Sequence, residues 1–433
     1  MKRKNEMPNH PIIKRPNWNA SPDLKDTMTP NSIAAKRPEP TTVSPAGKRR
    51  KSGEDHGLIP GLPDHIAQSS LSFVPPSTLY FVCNSWRRLI YSPSFPPFLS
   101  IYAVLFPSEA ADSISVASFD PISSTWQFLP PLPPPSPDLP LRFLIRHPSF
   151  ISRNLPVQSV SVAGNLVLLA ATADQFLPAL SCPLIFNPFT GKWSCGPPLI
   201  TPRRWCAVGA SRDTVYVASG IGSNYNQKVA RSVEKWDLKS NNHRHMPFTK
   251  PQEPWTGWEK MGGLRDGKFS REAIDAVGWR GKLCMVNVNG DAAKDGIVFD
   301  VVRDAWEEMP AGMLMGWKGP AAAMDEETIF MVDESNGWLK RYDPVNDNWV
   351  GVIKGEALKG AQHIAAGGGR VCAARRVGKS ITVVDVVAQP PKMWAVEAPA
   401  GYQVLSVHIL PRMSRHDLLP PSSDSDSSSL SSS

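Results

Sequence analysis

Histidine, cysteine and tyrosine are the residues of this chain best equipped for chemistry, and their spacing assembles no reactive centre. Copper redox chemistry needs clustered His and Tyr ligands. Of the nine histidines, His10, His56, His65 and His416 lie outside the repeated region described below, and His243-Arg244-His245 reads as a solvated turn. The six cysteines, Cys83, Cys182, Cys195, Cys206, Cys284 and Cys372, contain no CxxC pair that would hold zinc. They sit mostly in apolar runs and read as free buried thiols, without disulfides. Val377-Gly378-Lys379-Ser380 has the end of a phosphate-binding loop, but Ala373 stands where the first Gly belongs, and Ile381 to Val387 continues as strand rather than helix. It reads as a hairpin turn. No nucleophile with a neighbouring base can be placed from spacing, so no catalytic residue, metal or cofactor is expected.

What remains is recognition chemistry. Arg203-Arg204-Trp205, Phe269-Ser270-Arg271-Glu272, Gly316-Trp317-Lys318 and Gln362-His363 lie ahead of small-residue runs such as Cys206-Ala207-Val208 and Ala321-Ala322-Ala323. Arginine and large aromatics are natural anchors for a bound peptide. Arg203, Arg204, Trp205, Arg271, Trp317, Lys318 and His363 are therefore candidate substrate contacts; the alternative for each is packing within its own element. The insertion from Pro247 to Lys268, with Trp255, Trp258 and a Gly262-Gly263 hinge, is a second candidate for recognition.

The elements that position these segments are set by a repeat. An Asp or Asn after an apolar residue is answered downstream by a large aromatic, usually Trp six positions later. The pairs are Asp120 with Trp126, Asn187 with Trp193, Asp237 with His243 in place of Trp, Asp300 with Trp306, Asp343 with Trp349, and a stretched Asp385 with Trp394. The acidic or amide members lie 67, 50, 63, 43 and 42 residues apart, bracketing the roughly 40 to 50 residues of a four-stranded propeller blade. Each follows a β-branched or apolar run, and a second strand signal lies upstream, as in Asn165 to Ala170, Thr214 to Ser219 and Thr328 to Val332. Asp or Asn bonding its own backbone, often before Pro, favours a tight turn. Six units predict six blades, and Val404 to Leu410 is placed to complete the sheet of the first.

Ahead of the repeat, residues 58–99 read as helical. Leu62-Pro63 with Ile66 and Leu71 suggests a short helix with Pro at its opening turn. Ser77 as N-cap, with Leu79, Val82, Cys83, Trp86 and Ile90 at helical spacing, predicts one amphipathic helix of about fourteen residues before Ser92-Pro93. Forty residues of short helices cannot bury a large core, so this unit needs a partner.

The formal charge of +8 is concentrated in a Pro-rich leader: residues 1–57 hold 12 Lys or Arg against 6 Asp or Glu, or +6. A nucleic-acid-binding domain would carry its basic surface on a folded face instead. Leader and Ser-rich tail (413–433) are expected to be disordered. Lys36-Arg37, a spacer of ten, and Lys48-Arg49-Arg50-Lys51 have the form of a bipartite nuclear import signal. No apolar run approaches the roughly 18 residues of a membrane span, so nucleus or cytoplasm is the expected location.

Leu62-Pro63-Asp64, Val74-Pro75 and Val82-Cys83-x-Ser85-Trp86-Arg87-x-Leu89 resemble an F-box, and Ser219-Gly220-Ile221-Gly222 resembles the Gly pair closing a kelch strand. Together they resemble plant F-box/kelch-repeat proteins. The resemblance implies a mainly β fold, a six-bladed kelch-type β-propeller (100–412) after a small α-helical F-box (58–99). It further implies docking onto a Skp-family adaptor and, through it, a cullin, by Leu62, Pro63, Ile66, Val74, Pro75, Val82, Trp86 and Leu89. The propeller would then select an unknown protein substrate for ubiquitination, with no catalysis in this chain and no nucleic acid or membrane partner. The alternatives are a ligase-independent kelch scaffold or ligand sensor and, more remotely, a propeller oxidoreductase.

Overall fold

A computed structural model describes residues 57–108, 114–133, 157–171, 180–223, 226–239, 257–264, 273–289, 292–375 and 378–414. Two compact units divide between Pro96 and Pro97.

The first holds α1 (Asp64–Leu71), α2 (Pro76–Val82) and α3 (Asn84–Ile90). Pro63 and Pro75, each with φ near −55° and ψ near 135°, stand at the N-caps of α1 and α2 and leave both helices without a side-chain cap. The single helix expected from Ser77 onward is two helices. Cys83 is extended (φ −156°, ψ 167°), and its Sγ accepts from the Trp86 N–H at 3.5 Å, capping α3. The break is stabilised by Arg87, whose Nε donates to the Tyr80 carbonyl at 3.1 Å while its guanidinium lies 4.4 Å from the Tyr80 ring centroid. A carbonyl orphaned at the end of α2 thus regains a partner.

The second unit is a ring of six four-stranded antiparallel sheets. Blade 1 contains β1 (Leu99–Pro107), β2 (Ser115–Asp120) and β3 (Thr125–Phe128); blade 2 runs from β4 (Val157–Val162) through β5 (Asn165–Ala171) and β6 (Leu184–Asn187) to β7 (Lys192–Cys195). After the short β8 (Arg203–Arg204), blade 3 takes β9 (Ala207–Ser211), β10 (Thr214–Ala218), then, past β11 (Ile221–Gly222), β12 (Val233–Asp237) and β13 (Glu259–Lys260). Blade 4 is β14 (Ala273–Trp279), β15 (Lys282–Asn289), β16 (Ala292–Asp300) and β17 (Ala305–Glu308); α4 (Ala311–Gly316) leads to blade 5, β18 (Ala321–Met324), β19 (Thr328–Asp333), β20 (Trp338–Asp343) and β21 (Asn348–Lys354). Blade 6 is β22 (Ala361–Gly367), β23 (Arg370–Arg375), β24 (Ser380–Asp385) and β25 (Lys392–Glu397). The last strand, β26 (Tyr402–Pro411), pairs with β1 and becomes the innermost strand of blade 1. The ring is therefore closed by joining the two ends of this unit.

The repeat has a mechanical meaning. Asp120 Oδ1 accepts the N–H groups of Ile122 (2.8 Å) and Ser123 (3.3 Å), and Asn187, Asp300 and Asp385 do the same two and three residues on. Four residues after the first four regular members, Ser124, Gly191, Asp304 and Asp347 take φ between 45° and 64°, the left-handed step that ends such a hairpin turn. The Trp that follows pairs with the aromatic before the Asp: Phe119 with Trp126, Phe186 with Trp193, Phe299 with Trp306, Tyr342 with Trp349. Its indole N–H then crosses to the preceding blade. Trp126 donates to the Glu397 carbonyl (2.8 Å), Trp193 to Pro130 (2.9 Å), Trp306 to Gly262 (3.0 Å) and Trp349 to Met313 (2.9 Å).

Two repeat members correct the sequence reading. In blade 3 the position expected for His243, which lies outside the described residues, is filled by Trp258. It faces Trp236 at 5.6 Å and donates to the Pro197 carbonyl at 3.1 Å. The insertion therefore falls between the two outer strands of this blade. In blade 6, Val384 pairs with Met393, and Trp394 falls one register step away opposite Val383. Met393 holds the Trp place, packed against a core cluster that spans blades 5 and 6. Among the described residues, the apolar clusters each span two consecutive blades, as Leu166, Phe186 and Val104 do between blades 1 and 2. Neighbouring inner strands approach closely: a Cβ on Gly278 would overlap the Ala210 carbonyl oxygen, so β9 and β14 meet where no side chain fits.

Candidate functional site

The helical unit buries Ala67, Leu71, Leu79, Leu89, Ile90, Tyr91 and Phe95. It leaves Leu62 39%, Ile66 44%, Phe73 89%, Phe81 68% and Val82 56% exposed. Fully burying such a side chain gains about 1.5–3 kcal/mol, so this surface is fit for a protein partner. Trp86 is half-buried, its Nε1–H donating to the Leu58 carbonyl at 2.7 Å, which fixes the segment leading into α1 onto α3.

In the propeller, the six inner strands β26, β4, β9, β14, β18 and β22 surround an axial chamber of about 480 Å³. Its polar wall includes Ser159, Ser161, Asp275, Gln362, His363 and His408, with Trp205 beside them. His408 is buried between Ser159 Oγ (2.8 Å from Nε2) and Ser161 Oγ (3.2 Å from Nδ1), with the His363 ring centroid 5.3 Å away. Burial, and secondarily the neighbouring His363, push its pKa well below 6.5, so it is neutral at physiological pH. His363 Nδ1 accepts the Val407 N–H at 3.3 Å, tying blade 6 to the closing strand. Asp275 accepts the Ala321 N–H at 3.0 Å. Among the described residues, no group of three or more His, Cys, Asp or Glu is arranged to hold a metal ion.

Comparison with curated proteins places this architecture. The chain is 51% identical over 387 residues to F-box/kelch-repeat protein SKIP25 of Arabidopsis thaliana, a match covering 86% of this chain and 95% of that protein. The chain belongs to the F-box/kelch-repeat family. Another Arabidopsis thaliana F-box/kelch-repeat protein is 23% identical over 382 residues (72% of this chain, 75% of that one). The F-box protein AFR of the same plant is 24% identical over 312 residues (68% and 73%). No family model matches the chain.

Within the F-box, Leu62, Pro63, Ile66, Pro75 and Val82 are exposed and Val74 is half-buried, whereas Leu89 is buried in the unit's own core. Leu89 supports the surface rather than forming it. Phe73, in the turn between α1 and α2, and Phe81, on α2, are the most exposed apolar side chains of the F-box and escaped the sequence reading.

Three of the kelch-loop candidates are interior. Arg203 is 1% exposed: its Nη2 is paired with Glu234 Oε1, Nε donates to the Thr201 carbonyl (3.2 Å), and Nη1 to those of Ser219 (3.1 Å) and Ser232 (3.2 Å). It fastens the connection between blades 2 and 3 onto blade 3. Arg204 is fully buried with its guanidinium 4.7 Å from the Trp205 ring centroid. Trp317 is fully buried in the core shared by blades 4 and 5, against Trp349 at 5.7 Å. Trp205, Gln362 and His363 reach the chamber together, and Lys318 is half-buried near blade 5. Arg271 lies outside the described residues, as do Trp255 and the import clusters Lys36, Arg37, Lys48, Arg49, Arg50 and Lys51. Of the cysteines, Cys206, Cys284 and Cys372 are buried and burial pushes their thiols up to about 12, while Cys83 and Cys195 are exposed.

Proposed function

We propose that this F-box/kelch-repeat protein is the substrate receptor of a Skp-cullin-F-box ubiquitin ligase. The helical unit docks on a Skp-family adaptor, the propeller captures a protein target, and ubiquitin transfer is carried out by other subunits. The observation that carries the reading is the set of exposed Leu62, Ile66, Phe73, Phe81 and Val82 on a unit with so little core of its own. Proximity is then the contribution of this chain to catalysis, converting an encounter between ligase and target into a tethered one. Trp205, Lys318 and His363 are the remaining described candidates for target contact, and the basic clusters at 36–51 supply nuclear import.

Copurification of the full chain tests this directly. Adaptor and cullin are expected with the wild type and lost in the double variant Leu62→Glu/Ile66→Glu, whose propeller stays folded because the two units have separate cores. Absence of adaptor and cullin from the wild-type complex overturns the proposal.

A further inference from the structure

We propose that the axial chamber of the propeller binds a small, neutral, hydroxyl-rich molecule of sugar or cyclitol size, with Trp205 as the stacking wall and Asp275 as the principal acceptor. The inference stands on the chamber alone and is independent of the ligase reading.

The space suits such a molecule. Its volume of about 480 Å³ falls within the roughly 300–1,000 Å³ of small-molecule sites. Gly209, Ala276, Ala322 and Ala365 are among the inner-strand residues that line it, and none of them is bulky. The turn of blade 5 at Asp325-Glu326 lines the chamber with two consecutive non-glycine residues in the left-handed region (φ 52° and 57°). It is held there by cross-bonds: the Arg212 N–H and the Ser211 hydroxyl (3.1 Å) donate to the Glu326 carboxylate, and the Arg280 N–H donates to the Glu326 carbonyl at 2.8 Å. A turn of one blade is thereby tied to blades 3 and 4.

The wall chemistry selects the ligand class. Ser159, Ser161 and Gln362 each donate and accept, which matches hydroxyl groups that do the same, while buried His408 orients the two serines and His363 has a second ring nitrogen, Nε2, besides the Nδ1 that accepts the Val407 N–H. Asp275, Asp325 and Glu326 outnumber Arg212 among the charged lining groups, so an anionic ligand meets a repelling wall. The apolar lining is chiefly Ala and Val, with little bulk to hold a purely hydrophobic guest. Trp205 supplies the flat surface that the C–H face of a ring sugar needs. Its backbone sits at φ 49°, an outlier for a bulky residue. Such strain costs of order 1–3 kcal/mol and collects at ligand clamps. Arg204, 4.7 Å from the ring centroid, fixes the orientation of the indole.

The test uses the full chain titrated with D-glucose, sucrose and myo-inositol by calorimetry and saturation-transfer NMR, with inorganic phosphate and indole as comparators. At least one polyol is expected to bind saturably. Asp275→Asn, which keeps a carbonyl oxygen for the Ala321 N–H, and Trp205→Gly, which relieves the left-handed backbone, are each expected to weaken that binding roughly tenfold. Urea unfolding of both variants checks that the fold is intact. The proposal is overturned if no polyol binds saturably, if phosphate or indole binds in preference, or if polyol binding survives both substitutions.

Discussion

Arg203 separates a role in target binding from a role in holding the ring, and its environment allows the cost of removing it to be worked out. Its side chain and that of Glu234 are both 0% exposed. The guanidinium satisfies the Glu234 carboxylate and three backbone carbonyls. Glu234 in turn accepts the Ile200 N–H through its other oxygen at 3.1 Å. Arg203→Ala leaves a buried carboxylate with no cation, and breaking a buried pair in this way costs about 3–5 kcal/mol. At roughly 2 °C per kcal/mol for a unit of this size, the thermal midpoint should fall by about 6–10 °C. Replacing both partners, as Arg203→Met/Glu234→Leu, removes the stranded charge and should be more stable than Arg203→Ala, though short of wild type because the Thr201, Ser219 and Ser232 carbonyls and the Ile200 N–H lose these partners. Urea unfolding followed by tryptophan fluorescence reads all three proteins. If Arg203→Ala unfolds within about 1 kcal/mol of wild type, the fastening role is wrong and Arg203 returns to the list of target contacts.

Trp306→Phe keeps the ring against Phe299 but loses the donor to the Gly262 carbonyl, and should cost about 0.5–1.5 kcal/mol by urea unfolding; no loss would show that the indole bond between blades 3 and 4 carries no weight. Asp347 caps α4 from the neighbouring turn, accepting the N–H groups of Gly312 (2.8 Å) and Met313 (2.9 Å) and the Tyr342 hydroxyl (2.7 Å). Asp347→Ala should cost about 0.5–2 kcal/mol, the usual loss of a helix cap. The Gly312 bond, then those of Tyr342 and Met313, hold this carboxyl below the ordinary range. Its contribution is therefore present above the ordinary carboxylate range and lost as pH falls through the lowered value, and Asp347→Asn should flatten that acid limb in a stability-versus-pH series. His408 behaves as a buried neutral base: stability is full above pH 6.5, its ordinary value. As pH falls below it the unfolded chain gains a proton that the folded one refuses, costing up to about 1.4 kcal/mol per pH unit. His408→Gln should remove that slope between neutral and mildly acidic pH, and an unchanged slope would refute the assignment.

Much of the ring was legible because Asp or Asn and Trp recur for local reasons. An Asx turn and a cross-strand aromatic need six residues of sequence and nothing distant. The metre failed where the turn was altered. Between Asp237 and Trp258 an insertion separates the pair, and in blade 6 a longer hairpin moves the Trp place to Met393. Side-chain destination was less legible, since Arg203, Arg204 and Trp317 carry the chemistry of binding anchors. Arg203 is interior because Glu234 lies 31 positions away, a pairing that no local pattern announces. The break at Cys83 was hidden for a related reason: apolar spacing continues through it, and the evidence for it is a tertiary contact from Arg87 to Tyr80.

The closing strand β26 has a consequence for how the molecule is made. During synthesis the F-box helices leave the ribosome ahead of the ring, followed by five complete blades and a sixth sheet short of one strand. Until Tyr402 to Pro411 emerge, the Ile101–Leu105 segment offers an open row of amide and carbonyl groups, an invitation to pair with another chain. A message cut short before that strand would thus yield a product with an intact F-box and an unsealed, adhesive ring.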